Sequence, residues 1–498
     1  MAGYLRPGVY VAESLNLVPP AQSTTSQSVA AFIGSMDRGP VDPTLVTSWS
    51  QYVSLYGGWT TEKAVHTAAL LFFSNGGSQA YFTRVVDPSA DSATITFADR
   101  ASSPNDTLTL NAKNVGAWGN AINVSITNSA VLGAFDVTVF YQGTAATNIV
   151  ERFTDLTMTP TDNRYAVSVI NSQSNYLSAV NENSATDSLT LRIPVLATNE
   201  SLAAGTPAVA GIDEAEIAAA VNAFDVIQSS LVLNAPGVTG ATAVNLITSY
   251  AENRGDVFVV IDPIQGSAAN QITRADSYTA TSYGAVYYPE IVIKDPTITT
   301  QGVTVPASPG GAVVGLYLAT DASRGVFKAP AGLAARLDGA VSVAPLTNSE
   351  LDNLNSNSAA VNAIKFVPGS GIVVMGSRTL DGSYVSKYVP VRRTLIYLRK
   401  ALSELSQFAI FEPNDGVLWR RITATLEGLL TDFWRQGGLR GAVPTQAFYV
   451  KCDVELNPQQ SIDAGQVNIE IGVALQRPAE FVIIKIGQFD GGTTVTVA

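Results

Sequence analysis

FEPNDGVLWRRITATLEGLLTDFWRQGGLRGAVPTQAFYVKCD, residues Phe411 to Asp453, is the most sharply written stretch of the chain. A helix follows Asp415, with Trp419, Ile422, Leu426, Leu429, Leu430 and Phe433 recurring on one side at helical spacing. Gly437 and Gly438 stop it. AFYVKCDVEL then alternates with period two. Phe448, Val450, Cys452 and Val454 share one strand face, and Tyr449, Lys451, Asp453 and Glu455 share the other. That places Cys452 as a small core residue rather than a reactive thiol. Just upstream, apolar positions 391, 395, 398, 402, 405 and 409 predict an amphipathic helix over Val391 to Ala409. Arg392, Arg393, Arg399 and Lys400 lie on or beside its polar face.

Charge collects here. From Tyr384 to Cys452, ten Lys or Arg stand against five Asp or Glu, a net of +5. The whole chain carries −12, so the remainder, −12 less +5, carries −17. Opposite charge on a partner would orient docking of such a face. A solvated helix face is the plainer reading of each cation.

The 498 residues exceed one ordinary core, so two to four domains are expected. Hydrophobic content of 46% and a mildly positive mean hydropathy fit buried globular domains rather than disorder. Only 14% of residues are charged, against about 25% in a typical soluble protein. A surface so poor in charge suits a protein covered by neighbours, although many secreted β-rich proteins share it. The acidic balance argues against generic nucleic-acid binding. A single cysteine excludes an internal disulfide framework, and a single histidine, His66, leaves no ordinary zinc set. No apolar run is long enough to span a bilayer and MAGYLRPGVY has no signal-like core, so a soluble protein made in the cytoplasm is expected.

Moving outward, Val9 to Val11 reads as a short strand followed by polar, proline-containing chain. It either lies on its own domain's edge or adds to another subunit's sheet. VAAFIGSM (Val29 to Met36) is a buried strand, SWSQYVSLYGG a helix stopped by Gly57 and Gly58, and Glu62 to Asn75 a helix stopped by Gly76 and Gly77. AYFTRVV gives a further strand over Tyr81 to Val86. From about Asp87 to Ala204 short alternating runs (TLTLNAK, INVSITN, DVTVFYQ, LTLRIPVL) predict an inserted all-β sandwich or barrel almost without helix.

α/β character then returns. GIDEAEIAAAVNAFD places Ile212, Ile217, Val221 and Phe224 at helical spacing, with Asp213 and Glu216 as a capping pair. LVLNAPG, VFVVIDP and VYYPEIVIK read as strands, with helices over TAVNLITSYAENRG and Asn270 to Tyr283. Such alternation means a parallel, doubly wound sheet. Asn234 and Asp262 end two strands, where these folds bind ligands and where any strand turns into a loop.

Recognisable chemistry is missing. A triad hydrolase needs a base, usually histidine, and the segment from Ala204 to Asp381 has none. His66 sits on a predicted helix amid Ala and Val, where packing explains it. PASPGGAVVG (Pro306 to Gly315) has the glycines of a phosphate loop without its lysine, and neither GxGxxG nor HExxH occurs.

Five stretches resemble the contractile tail sheath proteins of bacteriophages and related injection devices. They are PGVYVAE, FFSNGGSQAYFTRVV (Phe72 to Val86), VPASPGGAVVGLYLATDASRGVFKAPAG (Val305 to Gly332), NAIKFVPGSGIVVMGSRTL (Asn362 to Leu380), and the C-terminal run with VPVRRTLIYLRK before it and GVALQRPAEFVIIKIGQ after it. The resemblance covers most of the chain except the inserted β region. It implies a non-enzymatic structural subunit with no catalytic, cofactor or metal residues, in rings of six stacked around an inner tube. It also implies contraction that drives the tube through a target envelope, baseplate and tail terminator partners, and no nucleic-acid or direct membrane contact. The expected place is the virion tail, after assembly in the host cytoplasm.

The implied organisation is α/β with α+β parts. A linking arm (1–20) leads into a doubly wound, subtilisin-like core (21–88 and 205–382) that carries the β insertion (89–204). A C-terminal α+β domain facing the tube (383–488) and a second arm (489–498) follow. Val9, Tyr10 and Val11, with Thr494, Val495, Thr496 and Val497, would be strands handed to adjacent subunits. Arg392, Arg393, Arg399 and Lys400 would face an acidic tube. The competing readings are another particle protein (tube, baseplate or capsid component) and, behind it, a hydrolase with an α/β core.

Overall fold

A computed structural model describes residues 28–60, 63–207, 213–298 and 302–480. Around the central sheet the chain runs β1 (Val29–Ser35), β2 (Thr44–Val46), α1 (Trp49–Tyr56), α2 (Ala64–Ser74) and β3 (Ala80–Val85). After the insertion come β4 (Leu231–Asn234), α3 (Ala241–Arg254), β5 (Val257–Ile261), α4 (Ala268–Asp276) and β6 (Gly284–Tyr288). Then follow α5 (Gly310–Arg324), β7 (Val361–Val367) and β8 (Gly371–Val374). The eight strands lie in the order β8-β7-β6-β5-β4-β1-β3-β2. All pairs are parallel except the two edges, where β2 and β8 run antiparallel to β3 and β7. Strand order reverses between β1 and β4, so the crevice at their carboxyl ends is a topological switch point.

Local chemistry explains these elements. Strands β4, β5 and β6 are buried along their whole length, as strands covered on both faces must be. Ser48 caps α1 by accepting the Gln51 N–H, and Gly57 ends it at φ +106°. Asp213 and Glu216 form the expected capping box, but regular helix lasts only over Glu214–Ala219 before a 3-10 stretch, Ala220–Val226. The glycines of PASPGGAVVG have a packing role. A Cβ on Gly311 would lie 2.2 Å from the Ala68 carbonyl oxygen, and one on Gly315 2.7 Å from that of Phe72. Helices α2 and α5 therefore meet backbone to backbone. The predicted helix near Asn270 starts earlier and stops at Asp276. VYYPEIVIK is two strands in different sheets, because Pro289 has no N–H to continue the β6 ladder and Ile291–Lys294 pairs antiparallel elsewhere.

The insertion has its own core, in which Leu108, Leu110, Val124, Ile126, Val137, Val139 and Leu177 are buried together. It comprises a three-stranded antiparallel sheet centred on Asp106–Ala112 and a four-stranded one containing Ile122–Asn128 and Phe135–Tyr141. Two expectations need correction. A helix, Ala166–Gln173, packs into this core through Ala166, Val169 and Ile170. LTLRIPVL forms turns rather than a strand, with Leu189, Leu191 and Leu196 exposed. Pro194 lacks a ladder donor there, and its carbonyl accepts from the Arg100 Nε at 2.8 Å.

The C-terminal region is built from α6 (Val389–Leu405), α7 (Gly416–Arg435) and a two-stranded antiparallel sheet of β9 (Phe448–Lys451) and β10 (Glu470–Val473). Asp415 caps α7 by accepting from the Val417 and Leu418 N–H groups. Helix α6 is shorter than predicted, giving way to a 3-10 turn at Gln407–Ala409. It is also more deeply sunk. Val389 and Ile396 join the core of the α/β body, while Leu398, Ala401 and Leu402 join a third core with Ile422, Leu426, Leu430 and Phe433. The alternation after Phe448 holds only to Lys451. Asp453 then accepts the Glu455 and Leu456 N–H groups in a turn, and Val454 is exposed. Cys452 is half-buried in that turn, where burial pushes its thiol up to about 11.

Candidate functional site

The switch-point crevice is the first place to look for chemistry. Asp262 follows β5 and is buried, its two carboxylate oxygens accepting the N–H groups of Gly310 (2.9 Å) and Gly237 (3.1 Å). Burial pushes its carboxyl up to about 6, against the pull of those N–H groups. A Cβ on Gly310 would lie 2.3 Å from Oδ1, so only glycine lets α5 begin against this carboxylate. Asn234, at the end of β4, donates to the Val260 carbonyl at 2.9 Å. Glu214 closes the start of α3, accepting from the Thr239 and Gly240 N–H groups. Helix N-termini that could hold an anion are thus capped by the chain's own acids.

Beside them lies a cleft of about 380 Å³, whose polar lining includes Thr67, Thr239, Gln265, Glu290 and Ser308. No histidine, cysteine, lysine or arginine lines it among the described residues. The one ionisable group among its described lining residues, Glu290, has its carboxyl raised by burial. No group of three or more His, Cys, Asp or Glu among the described residues is placed to hold a metal, and no helix among them is long and apolar enough to cross a membrane.

His66 is fully buried on α2, its Nδ1 2.9 Å from the Tyr52 hydroxyl and its Nε2 3.4 Å from Asp37 Oδ2. The second contact is a long one, at the outer limit of hydrogen-bond range. It holds the Asp37 carboxyl below its ordinary range against the opposing effect of burial. Tyr52 is itself fully buried, and only the Asp37 side chain, 39% exposed, reaches solvent.

The basic residues of α6 sit differently from the expected polar face. Arg393 is buried and grips Asp321 of α5 with two hydrogen bonds, 2.9 and 2.5 Å, with its guanidinium 4.7 Å from the Tyr317 ring. Arg392 is buried with its guanidinium 4.5 Å from the Tyr283 ring. The solvent-facing expectation therefore fails for both, because this part of α6 is enclosed by the α/β body. Arg399 is half-buried over Gly255, the αL residue ending α3, and Lys400 lies 3.7 Å from Glu404. Arg399 thus places its charge at a helix C-terminus, where the dipole favours a cation.

Sequence reading passed over the outer side of α7. Val417, Arg420 and Arg421 are exposed there, and the two arginines make no ion pair among the described residues. Phe411, 89% exposed with φ +66°, precedes them. The inward spacing of Ile422, Leu426 and Leu430 already implied that face. Val9, Tyr10, Val11 and Thr494 to Val497 lie outside the described residues. Strands β9 and β10 pair with each other alone among the named strands, which leaves each an outer edge.

The architecture is thus an α/β body with a mostly parallel sheet, a two-sheet insertion and a C-terminal pair of helices with a two-stranded sheet. Residues 385–489 match the model of a family described as the phage tail sheath C-terminal domain. Among solved structures, the PVC sheath complex of an extracellular contractile injection system, in its contracted state, is similar at 21% identity and TM-score 0.58. The match covers 98% of this chain and 99% of that one. The helical sheath of the anti-feeding prophage in its contracted state gives 20% identity and TM-score 0.59, over 98% and 100%. The sheath tail protein Lin1278 from Listeria innocua gives 14% identity and TM-score 0.61, over 92% and 96%. No curated protein matches. The chain has the fold of contractile-sheath proteins, with the sheath C-terminal domain matched at its end.

Proposed function

We propose that this chain is a structural, non-enzymatic subunit of a contractile tail sheath. It polymerises as stacked hexameric rings around an inner tube and contracts to drive that tube through a target envelope. The observation that carries this reading is similarity along nearly the whole chain to sheaths captured as contracted assemblies, together with the family match at residues 385–489. The self-capped crevice supports a scaffold role. The partners are further copies of the chain, the tube protein, the baseplate and the tail terminator. The location is the virion tail, after assembly in the host cytoplasm.

Subunits would be joined by Val9 to Val11 and Thr494 to Val497, each adding a strand to an outer edge of the β9–β10 sheet of a neighbour. Each backbone hydrogen bond so formed contributes only about 0.5–1.5 kcal/mol. Repetition along a polymer makes such links sufficient. Arg399 and Lys400 are the tube-facing candidates retained on α6, joined by the exposed Arg420 and Arg421 of α7. Electron microscopy of the purified chain, with and without residues 493–498, tests the reading. The full chain should form helical sleeves and the truncated chain a folded particle that does not polymerise. Rings or shells from the full chain would refute the sheath role, and normal sleeves from the shortened one would refute the arms.

A further inference from the structure

Between β1 and β2 the chain turns through Met36–Gly39, and this short loop is fastened from several sides. The buried Arg84 of β3 donates to the carbonyls of Met36 (3.0 Å), Asp37 (3.0 Å) and Gly39 (3.3 Å), and across to Val115 of the insertion (3.0 Å). Arg38 lies between α1 of the α/β body and the insertion. Its guanidinium carbon lies 4.6 Å from the Tyr176 ring centre, 5.3 Å from that of Tyr141 and 5.8 Å from that of Trp118. All three rings belong to the insertion and pack against one another, with centres 5.4 to 6.3 Å apart.

Arg38 is only 6% exposed, yet its one hydrogen bond among the described residues is from Nη2 to the Val53 carbonyl, and Nε and Nη1 have none. A buried cation with so few acceptors needs another source of stabilisation. Three ring faces supply it, because a desolvated guanidinium is drawn to the negative face of each.

We propose that Trp118, Tyr141 and Tyr176 form a guanidinium-binding box on the inserted domain, occupied by Arg38 of the same chain, and that this occupancy fixes the insertion's orientation on the α/β body. The insertion has a core of its own and is reached by the chain only at its two ends, so body-to-insertion contacts decide whether it is rigidly set. The inference stands whether or not the chain polymerises.

Hydrogen exchange of the full chain, with Trp fluorescence, tests it. Arg38→Ala should raise exchange about tenfold or more over residues 114–118 and 174–177, leave Val257–Ile261 unchanged, and shift Trp emission to the red. Methylguanidinium added to that variant should restore the protection, since it refills the box. Arg38→Met offers similar bulk without charge, and Tyr176→Leu opens the box with Arg38 intact. Both should loosen the same segments, and Tyr176→Leu keeps the test available if Arg38→Ala does not fold. Protection in Arg38→Met or Tyr176→Leu equal to that of the natural chain, or no response of Arg38→Ala to methylguanidinium, would overturn the proposal.

Discussion

The inserted domain meets the α/β body through a guanidinium among rings and a carbonyl cluster around Arg84, whereas the C-terminal domain meets it through a helix that two cores share. The second attachment also works in reverse. Val326, just past α5, is buried in the C-terminal core, and Phe327 packs edge-on to Phe433 at 5.8 Å. Removing the insertion would uncover a few polar and aromatic contacts. Removing the C-terminal domain would open apolar cores on both sides. An appended module with its own core can move or be exchanged, while one built into its neighbour's core cannot.

The largest test of that contrast is Arg393→Ala. It leaves the largely enclosed Asp321, 14% exposed, without its cation and should cost about 3 kcal/mol in urea unfolding. The loss should fall on the body and C-terminal domain together, with the insertion's exchange unchanged. A loss confined to the C-terminal domain would mean that the two cores are less coupled than α6 implies.

Acidity gives a smaller effect, with opposite signs at two acids. Burial alone would raise the Glu480 carboxyl, but the hydrogen bonds and charge of Arg378 outweigh it and hold the group below its ordinary value of 4.5. Its contribution is therefore present above that value and lost as pH falls through the lowered one. Asp262 is raised from 3.8 to about 6, so its contribution is present below 3.8 and lost as pH rises through about 6. Exchange followed from pH 7 to pH 3 should show the sheet around β5 gaining roughly 2–3 kcal/mol of protection on the way down. The Arg378–Glu480 contact should loosen only at the acid end. Asp262→Asn should abolish the first trend and spare the second.

The smallest effect on the isolated chain is expected from Arg399→Glu with Lys400→Glu, about 0.3–1 kcal/mol through the end of α3. The same pair should prevent sheath assembly on isolated tubes. Undiminished assembly would remove these residues from the tube-facing surface.

Much of the architecture could be read from local pattern. Buried runs such as Val257–Ile261, the Asp415 cap and the Asp213–Glu216 box need only nearby residues, and each appears where its chemistry asks for it. The misreadings at α6 share a cause, namely partners distant in sequence. A helical wheel assigns Arg392 and Arg393 to solvent because it assumes one apolar neighbour, but α6 has two, and Asp321 lies 72 positions away from Arg393. The Arg38 box draws on positions 38, 118, 141 and 176, which no single window contains. The glycines of Gly310 to Gly315 carry a clear signal of close approach. What approaches, α2 and the Asp262 carboxylate, is set by tertiary structure alone.

Helix α6 also has a mechanical meaning. Its 17 residues make a rod of about 25 Å, gripped near one end by the sheet layer and near the other by α7. A pull applied at β9 would reach that rod through the core that Phe448 shares with Leu398 and Leu402, and pass along it into the parallel sheet. Force entering at either end of α6 would thus be shared between two cores.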